Sequence, residues 1–205
     1  MPLASTPDTE IVSEQTVWSG LFSVDIVRFR HRRFDGGMSG IRTWELFRRG
    51  RAAALLPYDP VTDQVALIEQ FRLPAFAAGL HASMMEIPAG LCDAAEDPAI
   101  TAARETMEET SLAVQDLHHV GNFLLTAGGA DETCALFVGR ADLAGTPRTG
   151  TNGLAAEQED IRLHFCPAQD AIEAAIAGQY PNSVTTIALL WLAARRVSLR
   201  QEWSQ

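Results

Sequence analysis

From Leu21 to Arg30 apolar and polar positions roughly alternate, with Phe22, Val24 and Ile26 on one side and Ser23 and Asp25 on the other. That period of two predicts a half-buried strand. Asp35-Gly36-Gly37 followed by Ile41 to Arg49 predicts an antiparallel partner across a glycine turn. Roughly fifty residues of sheet cannot bury both faces alone, so this segment is expected to pack on the main domain or on a second subunit. Arg51 to Pro57 and Gln64 to Phe71 flank the turn-rich Asp59-Pro60-Val61-Thr62-Asp63, the signature of a second strand pair. Further strands are predicted at Met84 to Ile87, Val120 to Leu125, Thr133 to Gly139 and Asp160 to Phe165. Asp97 is placed to cap a helix that has Pro98 at its first position and runs to about Thr110. Two more helices are expected at Ala168 to Ala177, stopped by Gly178, and from Ser183 to about Gln201. The fold class expected is α+β. Leu143 to Ala156 is Gly/Thr-rich without periodicity, a long loop that ends just before Glu157-Gln158-Glu159-Asp160.

The helix after Asp97 carries the chemistry. With Glu105 as zero and about 100° per residue, Glu109 falls at about +40° and Glu108 at about −60°, so three carboxylates share one face. Ile100, Ala103, Met107 and Thr110 lie within about 40° of the opposite direction and are expected to form the core stripe. Arg104 stands four residues before Glu108 and can hold one carboxylate in place. Clustered negative charge near a helix C-terminus opposes the macrodipole and repels itself, each costing some tenths of a kcal/mol. A bound divalent cation would reverse both penalties. Oxygen donors with no His or Cys nearby favour a hard ion, Mg²⁺ or Mn²⁺, over zinc.

Composition narrows the function classes. With 205 residues, 47% apolar and 20% charged, the chain suits one packed domain, or one with a small appendage. The net charge of −10 should repel nucleic acid and anionic membranes, so an anionic substrate would need metal ions or local arginines. Cys92, Cys134 and Cys166 are odd in number and widely spaced, which argues against a disulfide framework. The longest strongly apolar stretch, Ile187 to Ala194, is too short to span a bilayer, and Met1 to Glu10 lacks a signal-peptide pattern. A cytoplasmic, non-membrane protein is expected.

Gly90, five residues, Glu96, seven residues, Arg104-Glu105, two residues and Glu108-Glu109 resemble the Nudix box. That box is the signature of hydrolases acting on nucleoside diphosphates linked to another moiety. The glycine usual two residues after the last glutamate is here Ser111, at an expected local cost of about 1 kcal/mol. Leu67 to Arg72 (LIEQFR), Glu86-Ile87-Pro88-Ala89-Gly90, Gly153-Leu154 and Glu157 to Ile161 extend the likeness to the ADP-ribose pyrophosphatase branch, from about Leu21 to Trp203. The resemblance implies a Nudix α/β/α sandwich over residues 51–205. It also implies an N-terminal antiparallel sheet over residues 1–50, exchanged between the subunits of a homodimer.

Carried over residue by residue, the family's roles make Glu105 and Glu109 the principal Mg²⁺ ligands, with Mn²⁺ able to substitute, assisted by Glu108 and the Ala89 carbonyl. Glu96 and Arg104 would orient helix and loop. Glu159 matches the position that handles the attacking water, with Glu157 as a second candidate. Arg49 and Arg72 match diphosphate contacts, Glu86 joins the substrate site, and Trp44, followed by Glu45, matches an aromatic that stacks on adenine from the neighbouring subunit. Trp18 and Phe22 are weaker candidates for the other side of that stack. The implied reaction is Mg²⁺-dependent hydrolysis of ADP-ribose to AMP and ribose 5-phosphate. Thr126-Ala127-Gly128-Gly129 replaces the branch's usual Ser-Pro-Gly-Gly, which keeps another nucleotide sugar, such as GDP-mannose or ADP-glucose, open as substrate. A non-catalytic ADP-ribose sensor is the third reading, and the intact glutamate set argues against it.

Overall fold

The computed structural model describes residues 2–145, 151–153 and 158–203. In chain order these form β1 (Thr9–Ser19), β2 (Ser23–His31), β3 (Arg42–Arg48), β4 (Arg51–Asp59), β5 (Gln64–Phe71), α1 (Leu73–Ala77), β6 (Ser83–Glu86) and β7 (Ala89–Leu91). There follow α2 (Pro98–Thr110), β8 (Val114–Leu124), β9 (Thr133–Ala141), β10 (Thr151–Asn152), β11 (Ile161–Pro167), α3 (Ala168–Ile176) and α4 (Ser183–Trp203). They divide into two compact units, one reaching to Gly50 and including Leu124–Thr133, the other holding the rest of the chain from Arg51.

In the larger unit β4 and β5 form the predicted hairpin, paired Tyr58 to Val65 and Asp59 to Gln64. Asp59 ties its turn by accepting the Val61 N–H at 2.8 Å and the Thr62 hydroxyl at 2.7 Å. The strands run in the order β10-β11-β5-β4-β9-β8, with β6 added to β5 and β7 to β4. β4 is buried on both faces, as a central strand of a two-sided sheet must be. Ala53 and Leu55 pack with Ala102 of α2 and Phe137 of β9, while Tyr58, on the other face, lies beside Trp203 of α4. Helices therefore flank the sheet on both sides, the expected sandwich. β7 lays Ala89 and Gly90 opposite Ala54 and Ala53, so the start of the box is seated on a strand of small residues.

Of the expected core stripe of α2, Thr110 is buried and Ala103 half-buried, but Ile100 and Met107 lie outside. Ile100 is 61% exposed and Met107 46%, while Thr101, Ala102, Thr106, Glu109 and Thr110 are buried. The threonines make this polar face acceptable to the core. The Thr106 hydroxyl donates to the Ala102 carbonyl at 2.7 Å and the Thr110 hydroxyl to the Thr106 carbonyl. With their hydroxyls satisfied along the helix, they present methyl groups outward. The ends follow expectation: the Asp97 carboxylate accepts the Ala99 N–H at 2.9 Å, and Ser111 stops the helix in the left-handed region at φ 58°.

In the smaller unit β2 pairs antiparallel with β3 as predicted, and with β1, which no alternation announced. Register shifts between Ile11 and Ser13 and between Thr16 and Trp18 break the period of two in β1. Leu124–Thr133 joins this sheet. Phe47 donates its N–H to the Gly129 carbonyl at 2.8 Å and accepts the Asp131 N–H at 3.1 Å. Arg48 ties the layers together by donating to Asp25 at 2.6 Å, to Asp131 at 3.1 Å and to Glu14. Its guanidinium holds the Asp25 carboxyl below the usual carboxylate range.

The expected loop from Leu143 to Ala156 contains the short strand β10, which pairs with β11 through Thr151 and Asn152. Two residues are too few to show a period. The remainder of that segment and Glu157 fall partly or wholly outside the described residues.

Candidate active site

α2 presents Glu105, Glu108 and Glu109 together, but in different settings. Glu109 faces inward, 3% exposed, and accepts the Ala89 N–H at 3.1 Å. Burial pushes its pKa up to about 8; the Ala89 hydrogen bond opposes this, whereas the neighbouring charges of Glu159 and Glu105 add to it and Arg72 again counters. Glu105 and Glu108 are bridged by Arg104, whose Nη1 lies 2.8 Å from one and 3.0 Å from the other. Arg104 also reaches Glu96 at 3.5 Å, and Glu96 takes the Thr101 hydroxyl at 2.8 Å. The Thr101 hydroxyl first, then Arg104, hold Glu96 below the usual carboxylate range. The box thus ties loop to helix through one arginine, as the spacing of Arg104 and Glu108 suggests.

Gly90 leaves room for Glu105: a Cβ there would stand 2.0 Å from the Glu105 carboxyl carbon, so a side chain at this position would push that carboxylate aside. Gly153 does the same for Glu159: at φ +98° its Cβ would come 2.6 Å from the Glu159 Cβ and 3.0 Å from Oε2. Glu159, more than forty positions beyond α2, is thereby placed where its charge acts on Glu109. It also lines a cleft of about 440 Å³ with Glu69, Phe71, Ser83 and Arg162, within the size range of small-ligand sites. Glu69, which the sequence did not single out, is fixed there by the Ser83 hydroxyl at 2.6 Å and the His164 Nε2 at 3.0 Å.

Arg72 and Glu86 meet as an ion pair at 2.6 Å, and Glu86, 6% exposed, also accepts from the Asn182 amide. Ala89 offers its N–H to Glu109; its carbonyl, the expected ligand atom, belongs to a strand paired with β4. Trp44, Glu45 and Arg49 belong to the smaller unit. Trp44 is 46% exposed on β3, edge-on to Phe29 at 5.5 Å with the Arg42 guanidinium 5.2 Å from its ring. Glu45 is exposed beside it. Arg49 ion-pairs with Glu132 at 3.0 Å, at an angle that makes no hydrogen bond of its Nε–H, and stacks 4.3 Å over Phe22. Phe22 is thus engaged by an arginine.

Whether a hard divalent cation suits the carboxylate face is answered by Glu109: a buried carboxylate facing two others lacks the compensation its charged form needs, and a cation supplies it. The donors are oxygens alone, as such an ion requires. Among the described residues no three acidic, His or Cys side chains converge as a cage, and Arg104 bridges Glu105 and Glu108.

The NUDIX domain model matches residues 48–186, more than half of the chain and the whole of the box. The chain belongs to the Nudix family. Among Nudix relatives, the ADP-ribose pyrophosphatase of Escherichia coli (strain K12) is 40% identical over 197 residues, covering 96% of this chain and 93% of its own length. The ADP-ribose pyrophosphatase of Haemophilus influenzae is 36% identical over 204 residues, covering 98% and 93%. A crystal structure described as an ADP compounds hydrolase superposes with a TM-score of 0.67 at 20% identity, covering 94% of this chain and 98% of that one, a likeness of fold. No described helix is long and apolar enough to cross a membrane.

Proposed function

We propose that this Nudix hydrolase cleaves ADP-ribose at its diphosphate, releasing AMP and ribose 5-phosphate, with Mg²⁺ as its cation and Mn²⁺ able to substitute. The observation that carries the reading is Glu109 itself, buried on the α2 face and held by the Ala89 N–H at 3.1 Å, within reach of the charges of Glu105 and of Glu159 from a distant segment, which Arg72 opposes. The substrate is supported by the activity named for the two bacterial relatives.

Glu105, Glu108 and Glu109 would hold the cation on the α2 face. Once bound, it neutralises the diphosphate and lowers the pKa of a water molecule. Arg72 offers a planar fork to the diphosphate oxygens, and Arg49 is assigned the same task. Glu159 accepts the proton of the attacking water, with Glu157 as the second candidate, an effect worth on the order of 10²–10⁴ in rate. Trp44 stacks on the adenine and Glu45 lies beside it. They reach the site from the neighbouring subunit of a homodimer, a reading supported by the exposed apolar surface of Trp18, Leu21 and Trp44. Cys92, Cys134 and Cys166 as thiols support a reducing, cytoplasmic setting.

The test is turnover of a panel of nucleotide sugars with Mg²⁺, with products identified, for the wild type and Glu109→Gln. ADP-ribose is expected to be preferred and to yield AMP and ribose 5-phosphate, and the variant, folded, is expected to lose most activity. Preferred cleavage of GDP-mannose or ADP-glucose would overturn the substrate. Tight ADP-ribose binding without turnover would make the chain a sensor.

A further inference from the structure

We infer that Asn182 is a positioning residue for the diphosphate site, setting Glu86 and, through Glu86, the guanidinium of Arg72. The inference rests on the reading of Arg72 as a diphosphate contact.

Asn182 stands immediately before α4, where its Oδ1 accepts the Thr185 N–H at 2.9 Å and its carbonyl accepts the Thr186 N–H at 3.1 Å. It is the N-cap of that helix. A backbone N–H can only donate, so the side-chain oxygen must face Thr185 and the Nδ2 must face outward from the helix. There it donates to the Glu86 Oε1. The other Glu86 oxygen accepts from the Arg72 Nε at 2.6 Å. The Glu86 side chain is 8% exposed and both its oxygens are engaged, one by Asn182 and the other by Arg72, so it links the two. The Ile87 N–H donates to the Thr185 hydroxyl at 3.1 Å, a second stitch between α4 and the same segment.

With Nε taken by Glu86, neither terminal nitrogen of Arg72 has a hydrogen-bond partner among the described residues. The arginine side chain is 37% exposed and its charge acts on Glu109. The chain Asn182, Glu86, Arg72 therefore converts the start of a long, packed helix into a fixed direction for a phosphate-binding fork. Rigid support of this kind determines how well a side chain holds its ligand.

Asn182→Asp tests this, because aspartate keeps the N-cap but loses the donor and sets a second carboxylate against Glu86. Asn182→Ser, which also caps, serves if the aspartate variant does not fold. The readout is the Kd of ADP-ribose by titration calorimetry in EDTA, which needs no turnover, with Tm as control. Asn182→Asp is expected to weaken binding about five- to tenfold, with Tm lowered by the carboxylate pair but the protein folded at the assay temperature. In the R72A background the same change is expected to weaken binding less than twofold, because the two side chains act in series. If R72A weakens binding and Asn182→Asp does not, or if their effects multiply, the inference is overturned while the reading of Arg72 stands. If R72A leaves the Kd unchanged, both are overturned.

Discussion

A side chain at Gly153 would need a left-handed backbone at φ +98° and the space already held by the Cβ and Oε2 of Glu159. Gly153→Ala should therefore displace the glutamate by roughly an ångström, a misplacement that can cost on the order of 10² in rate. Steady-state kinetics should show the loss in kcat with KM little changed, since a proton acceptor contributes mainly in the transition state. Glu159→Gln should reproduce the pattern and Glu157→Gln should do less; a loss confined to KM in Gly153→Ala would remove Glu159 from the chemical step. The carboxylates of α2 were legible because helical geometry relates residues three and four apart. That the charge of Glu159 acts on Glu109 was not legible from local pattern, and Glu159 stood out only as a family position, because nothing local brings it back to α2. Asn182 carried the single sign of a capping residue after Pro181, and its second partner, Glu86, is ninety-six positions away.

Two elements carry separable predictions. Ser111 ends α2 at φ 58°, a conformation that costs most L-residues about 1–2 kcal/mol, less some tenths recovered from greater chain freedom when glycine replaces it. Ser111→Gly should raise stability by about 0.5–1 kcal/mol in urea unfolding and leave kcat unchanged. At the β4–β5 turn, Asp63 receives Arg196 of α4 at 2.8 Å, and that guanidinium holds its carboxyl below the ordinary 3.8. The unfolded chain therefore takes up the proton first on acidification, so the contribution is complete above about pH 3.8 and disappears below it. Asp63→Asn, which tolerates the left-handed φ of 57°, should cost about 2 kcal/mol at neutral pH, and the gap to the wild type should close below about pH 3.8. A gap independent of pH would assign the loss to the turn alone. The hairpin and helix ends were readable because capping and turn chemistry are local. The buried stripe of α2 was not, because threonines that satisfy their own hydroxyls enter the core against their polarity, leaving Ile100 and Met107 outside.

For the whole molecule the proposed homodimer predicts a sedimentation mass twice that of the chain, and loss of ADP-ribose binding when residues up to Arg49 are removed. A monomeric truncation with an unchanged KM would exclude a role for Trp44, Glu45 and Arg49. The alternation in β2 and the glycine turn before β3 announced a sheet, but not that Leu124–Thr133 completes it, because Asp131 and Glu132 read as loop charges until Arg48 and Arg49 are seen against them. That completion has a consequence for synthesis. Arg48 lies 83 positions before Asp131, and at roughly 5–20 residues per second the ribosome needs about 4–17 s to supply the missing partner. During that interval a nascent three-stranded sheet leaves the tunnel with an arginine short of one carboxylate and an edge at Phe47 still open. This is the state in which a chaperone, or the same sheet on a neighbouring polysome chain, would find it.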